Sequence, residues 1–201
     1  MADRLTADAV GIGRAADLLR SGELVAFPTD TVYGIGCRAG DATALARIFA
    51  AKRRDREKAV AWLVASSDLV TSSGFRADDR ALKLAERFWP GALTLVLPAS
   101  EGPATQAFRV PAHDVALALL ASAGPLAVSS ANRSGEPETL EADDVAIAFA
   151  DAEEPSAILD GGRVPGGVAS SVLDLSGPVA RLLREGAVSR AEIEAVIGPI
   201  D

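Results

Sequence analysis

The sequence predicts an α/β domain built around a mixed β-sheet, and three observations carry that prediction. Short apolar runs alternate with longer amphipathic stretches along the whole chain, with no repeat and no low-complexity linker between them. The runs 171–175 and 179–183 flank Ser176 and Gly177 as the two arms of a hairpin, so antiparallel pairing must coexist with helical crossovers. At 201 residues and 49% hydrophobic, the chain has the size and apolar content for one domain, 1–201, with a substantial core.

Taken in order, residues 12–20 read as a helix stopped by Gly22, feeding a buried strand at 24–27 that Pro28 ends. A polar loop follows, with Thr29, Asp30, Thr31, Tyr33 and the backbone of Gly34, and it continues through Gly36 and Gly40. Asp41 is placed to N-cap a helix that carries Leu45, Ile48 and Phe49 on one face. Further strands are expected at 59–64, 93–97, 107–110, 126–129 and 157–159, and helices at 77–88, 114–123 and 141–150. Ser189 and Glu192 make a capping box for a last helix reaching Ile197.

Composition excludes several classes of function. The single cysteine, Cys37, permits no internal disulfide, the N-terminal residues lack a signal-peptide core, and no apolar run is long enough to span a bilayer. The expectation is a cytoplasmic protein with no membrane association. A net charge of -8 with only 4% aromatics argues against a surface built to coat nucleic acid. Gly11-Ile12-Gly13 follows no strand and lacks the last glycine of a dinucleotide fingerprint. Cys37 reads as a small buried hydrophobe, and His113, the only histidine, as a local cap or surface group. Asn132-Arg133-Ser134 matches a glycosylation sequon by string alone, and no histidine–carboxylate cluster has metal-ligand spacing.

What remains is a set of anion-binding and hydroxyl groups at strand ends. Lys52, Arg53, Arg54, Arg56 and Lys58 crowd one short stretch of an acidic chain, and Lys52, Arg54 and Lys58 are spaced to converge on one phosphate chain. A solvated charged loop is the other reading of that stretch. Arg109 sits in an apolar strand context, where a cation demands an anionic partner. Ser129, Ser130, Asn132 and Ser134 follow a strand, and glycines precede Ser170 and Ser171, where backbone amides can approach a ligand. Arg184 ends the final strand as a further candidate contact to phosphate or base.

In sequential order, PTDTVYGIG, KRR, FWPGALTLVL, FRVPAH, SSANRSGEP, ILDGG, ASSVLDL and RLLREG resemble the YrdC/TsaC family, the threonylcarbamoyl-AMP synthases that supply an activated group for a tRNA modification. The resemblance implies a twisted mixed sheet with a concave ligand cleft, in the short single-domain form. By position, it implies that Thr31, Leu63, Arg109, Val128 and Ser170 face L-threonine. It implies that Lys52, Arg54, Lys58, Thr105, Ser130, Asn132 and Arg184 face ATP, with Lys52, Arg54 and Lys58 carrying the catalytic charge. Arg53, Asp55 and Ala59 depart from the family's usual glycine and prolines in the phosphate loop.

The implied reaction joins bicarbonate to the amine of threonine as a carbamate, whose oxygen attacks the α-phosphorus of ATP and expels pyrophosphate. Such a step needs positioning and charge neutralisation more than a side-chain nucleophile, which suits a chain with one histidine and one cysteine. Mg²⁺ is expected to travel with ATP, without a dedicated protein metal site. The implied partners are ATP, L-threonine, bicarbonate and a threonylcarbamoyl transferase complex, with weak tRNA binding at most. Two other readings stand beside this one: an RNA-binding or ribosome-associated module of the same fold, and a paralogue that uses a different carbamoyl acceptor.

Overall fold

A computed structural model describes residues 2–53, 60–150, 155–166 and 168–201. Its strands are β1 (Asp3–Thr6), β2 (Val25–Phe27), β3 (Gly34–Arg38), β4 (Ala61–Leu63), β5 (Leu93–Pro98), β6 (Thr105–Arg109), β7 (Leu126–Ser130), β8 (Ala157–Asp160), β9 (Ser171–Asp174) and β10 (Arg181–Arg184). They form one mixed sheet in the order β1-β8-β2-β3-β7-β4-β6-β5-β9-β10. Four pairs are parallel, β1–β8, β8–β2, β4–β6 and β5–β9, and the remaining neighbours are antiparallel. The helices are α1 (Ala9–Arg20), α2 (Ala42–Lys52), α3 (Asp68–Ser72), α4 (Asp79–Phe88), α5 (Asp114–Ala123), α6 (Ala142–Phe149) and α7 (Arg190–Ile197).

The helices start where short polar side chains satisfy their first amides. Asp8 accepts from the amides of Val10 and Gly11, Asp41 from that of Ala44 at 2.9 Å, and Asp78 from that of Ala81. The expected box of Ser189 with Glu192 opens α7, and Glu141 with Asp144 makes a second one at α6. Three buried clusters tie these helices to the sheet. α2 and α6 pack with Tyr33 and Ile35, α1 and α5 with Phe27 and Leu126, and α4 and α7 with Leu95 and Phe108.

The sequence reading missed three elements. The stretch expected as a glycine loop is strand β3, which pairs Gly34 with Ser130 and Gly36 with Val128. A Cβ on Gly34 would lie 2.6 Å from Val128 Cγ1, and one on Gly36 would lie 3.0 Å from Phe27 and 3.2 Å from Val128. These glycines therefore permit a close approach of side chains across the sheet rather than a turn. β1 escaped because only Leu5 is buried in it, which gives no apolar run, and α3 is too short to show a period. The hairpin is present, with its second strand displaced to Arg181–Arg184 and a register shift between Leu182 and Arg184. Of the strand expected at 59–64, Ala61–Leu63 is observed, and Ala59 lies outside the described residues.

Candidate functional site

A cavity of about 310 Å³ opens over the sheet, at the small end of the range for ligand pockets. Its walls come from β3, β4, β5, β6, β7, β9 and β10, with Gly34, Ala61, Val96, Ala107, Val128 and Val172 among its lining residues. Because alternate residues of a strand face the same side, neighbouring strands deliver a common wall. Thr31, Leu63, Arg109, Val128 and Ser170, taken from five separate stretches of sequence, all line it. Ser130 and Arg184 line it as well. Leu183 and Arg184 both reach the cavity although they are consecutive, which the register shift between Leu182 and Arg184 permits by re-aiming the strand end.

Arg109 is 6% exposed and is held on three sides. Its Nε donates to the Gly91 carbonyl at 2.9 Å, one terminal nitrogen to Thr31 Oγ1 at 3.3 Å, and the other to Asp30 Oδ1 at 2.5 Å. Sequence reasoning expected a carboxylate for this cation and assigned it to the ligand; the resident partner is Asp30, which had been given no role. A guanidinium has five N–H donors, so these bonds leave one on each terminal nitrogen, the set that bidentate capture of a second carboxylate requires. The turn before β3 is built to the same end. Thr31 and Thr29 hydroxyls lie 3.1 Å apart, and Thr29 Oγ1 is 2.6 Å from the Val32 carbonyl. Every group is satisfied if the chain runs from Arg109 to Thr31 to Thr29 to that carbonyl, each member polarising the next.

A second polar unit lines the same cavity. Arg184 donates from Nε to the Ser170 carbonyl at 3.0 Å and from a terminal nitrogen to Ser170 Oγ at 3.2 Å. Ser170 Oγ is also 2.9 Å from Thr94 Oγ1. Thr94 was missed, although a hydroxyl inside the apolar run of β5 was its signal: it is 4% exposed and lines the cavity. Glu138 lines it too, with nothing in the sequence to single it out.

Other expected site residues fall elsewhere. Lys52 is 1% exposed at the end of α2 and does not line the cavity. Its ammonium donates to the carbonyls of Ser130 and Asn132, with Ser130 Oγ and Asn132 Oδ1 each at 3.4 Å. Asn132 is buried, donates from Nδ2 to the Glu136 carbonyl at 2.7 Å and does not line the cavity. Thr105 is exposed at the start of β6, also away from the lining. Arg54 and Lys58 lie outside the described residues, as do Asp55 and Ala59.

His113 occupies the N-cap position of α5 without a side-chain capping bond, so the expected cap is not made. Burial lowers its pKa, and the nearby carboxylates of Asp30 and Asp114 oppose that shift. Cys37 is fully buried in β3, and burial pushes its thiol up to about 12, so at neutral pH it is a neutral apolar group. Tyr33, also fully buried, donates to the Gly162 carbonyl at 2.7 Å and is likewise raised to about 12 by burial. Among the described residues no group of three or more histidine, cysteine or carboxylate side chains is placed to hold a metal ion. No described helix is long and apolar enough to cross a membrane.

Four similarities identify the family. Residues 17–186 match the family described as "Telomere recombination", Sua5/YciO/YrdC. The threonylcarbamoyl-AMP synthase of Bacillus subtilis is 40% identical over 98% of this chain, which covers 60% of that protein. A putative threonylcarbamoyl-AMP synthase of Mycobacterium tuberculosis is 38% identical over 94% of this chain and is covered over 89% of its own length. The crystal structure of Pyrococcus abyssi Sua5 complexed with L-threonine superposes on the whole chain with a TM-score of 0.87 at 40% identity, and 62% of that protein is covered. The chain thus spans about three fifths of the Bacillus and Pyrococcus proteins. On that shared sequence and superposed sheet, this chain belongs to the Sua5/YciO/YrdC family.

Proposed function

We propose that the protein is an L-threonylcarbamoyladenylate synthase, a cytoplasmic nucleotidyltransferase serving tRNA modification. The observation that carries the reading is the cavity in which Thr31, Leu63, Arg109, Val128 and Ser170 converge, with a buried guanidinium that retains a donor on each terminal nitrogen. Free L-threonine offers what this arrangement lacks: a flat two-oxygen anion for Arg109 and a side-chain hydroxyl for the Thr31 or Ser170 side. The apolar faces of Leu63 and Val128 suit the threonine methyl.

The amine of threonine and bicarbonate condense to a carbamate with loss of water. A carbamate oxygen then attacks the α-phosphorus of ATP, the bond to the bridging oxygen breaks, and pyrophosphate leaves with the electron pair. Ser130 and Arg184, both on the cavity wall, are assigned to ATP. Lys52 acts there through the Ser130 and Asn132 backbone that it holds. Arg54, Lys58 and Thr105 complete the proposed phosphate side, where fixed positive charge lowers the barrier by meeting charge that develops during transfer. Glu138 is the one carboxylate lining the described cavity, which suits a Mg²⁺ whose shell comes mainly from phosphates and water. Mg²⁺ there would neutralise phosphate charge.

The test is incubation with ATP, L-threonine and bicarbonate, measuring pyrophosphate and the adenylate by mass spectrometry. Pyrophosphate release should require threonine and bicarbonate together, and release at the full rate without threonine would overturn the reading. Handover to a threonylcarbamoyl transferase complex is the expected fate of so labile a product. Binding of tRNA by the isolated protein should be weak, given the net charge of -8; a tight complex with steep salt dependence would favour the RNA-binding reading.

A further inference from the structure

We propose that Asp30 is a positioning residue that sets the guanidinium of Arg109 for carboxylate recognition. The inference rests on the threonine site proposed above and adds a residue to it. Arg109 and Thr31 line the cavity, whereas Asp30, between Thr29 and Thr31 in sequence, does not. Alternation along the turn therefore sends two hydroxyls to the cavity wall and the carboxylate to the guanidinium. The Asp30 and Arg109 side chains are 14% and 8% exposed, so the pair is largely shielded from water.

Of the three groups holding Arg109, Gly91 O and Thr31 Oγ1 are neutral acceptors, and only Asp30 is an anion. An arginine on a flexible stem presents its fork in a fixed plane only if its other donors are tied down, and these three contacts tie one donor on each nitrogen. Asp30 also gives the buried cation a counter-charge before any ligand arrives, which keeps the guanidinium in place in the empty site. The rival reading makes Asp30 an internal stand-in for the ligand carboxylate, displaced on binding. The donor count favours simultaneous occupancy, because Asp30 engages one N–H of five. The two readings predict opposite signs. Positioning makes threonine bind more weakly when Asp30 is removed, and displacement makes it bind more tightly.

The experiment compares L-threonine with L-threoninamide, which lacks the carboxylate, by calorimetric titration of the original protein, Asp30→Ala and Asp30→Asn. Circular dichroism and thermal melting establish that each variant is folded. The expected result is at least a tenfold fall in the preference for threonine over threoninamide in Asp30→Ala. Asp30→Asn keeps an acceptor in place and should lose less, about threefold, which preserves the test if Asp30→Ala does not fold. A lower melting temperature with an unchanged preference would reduce Asp30 to a structural role and overturn the proposal. Tighter threonine binding in either variant would overturn it in favour of displacement. Should the original protein itself bind no threonine, the threonine site fails first, an outcome visible before any variant is compared.

Discussion

Lys52 and Arg109 are two buried cations, 1% and 6% exposed, and the structure uses them in opposite ways. Lys52 ends α2 and points its ammonium at the carbonyls of Ser130 and Asn132, so it fastens the helix to the end of β7 and the loop beyond it. Arg109 ends β6 and meets Asp30, Thr31 and Gly91 while still lining the cavity. The difference follows from side-chain chemistry. An ammonium has three donors converging on one atom and is fully served by a nest of carbonyls, whereas a planar guanidinium spreads five donors over a fork. Three held contacts still leave that fork able to take another anion. Burial of a cation is therefore no guide to its role until its donors are counted.

The largest effect that would break this comparison is expected at Lys52. Lys52→Ala takes the charged donor from the buried Asn132 carbonyl and the part-buried Ser130 carbonyl, and at ~1.5–3 kcal/mol for a hydrogen bond from a charged group, a loss of about 3 kcal/mol in stability is expected, read by urea unfolding. Activity should fall with it, because Ser130 loses its anchor. If stability stays within ~0.5 kcal/mol of the original while activity vanishes, Lys52 serves the ligand alone and the contrast with Arg109 collapses.

Arg109→Lys keeps the charge and loses the fork. The apparent KM for threonine is expected to rise at least tenfold, ~1.4 kcal/mol, with a much smaller change for ATP. Steady-state kinetics with each substrate varied in turn measures both. Movement of the ATP term alone would place Arg109 on the nucleotide side and undo the division of the cavity.

Ser170 marks where that division is least clean. It was assigned to threonine and Arg184 to ATP, yet Arg184 donates to both the carbonyl and the hydroxyl of Ser170. Ser170→Ala should therefore raise both KM values, by about fivefold each, or ~1 kcal/mol. A change in the threonine term alone would show that the Ser170 carbonyl is sufficient to hold Arg184.

The five residues that the family resemblance implied for one ligand, Thr31, Leu63, Arg109, Val128 and Ser170, line one cavity, and some of them were also marked by chemistry unusual for their surroundings. Arg109 in an apolar strand is the clearest case. The sequence could not reveal Asp30 as the partner, since the pair spans |i−j| = 79 and only the fold brings the turn before β3 beside β6. Nor did it show that Lys52 spends its charge on carbonyls, because a charge run looks the same in sequence whether its first member points in or out. β3 was hidden for a related reason: glycines read as loop unless one knows that Val128 packs against them from β7.

The smallest expected effect is at Thr105, and it limits how far the phosphate side extends. Thr105 pairs with Pro98 at the turn end of the β5–β6 hairpin, where it is exposed and outside the cavity lining. A hydroxyl in that position exchanges a water for a ligand oxygen, so the net gain from a neutral hydrogen bond falls near the bottom of the ~0.5–1.5 kcal/mol range. Thr105→Ala should raise the apparent KM for ATP by about twofold and leave threonine unchanged. Its fold should be unaffected, since the side chain supports no described packing cluster. A tenfold or larger rise for ATP would mean that bound nucleotide draws this end of the sheet into the site. The phosphate side would then be assembled by the ligand, in contrast to the wall of Arg109, Thr31 and Thr29, whose groups already hold one another in place.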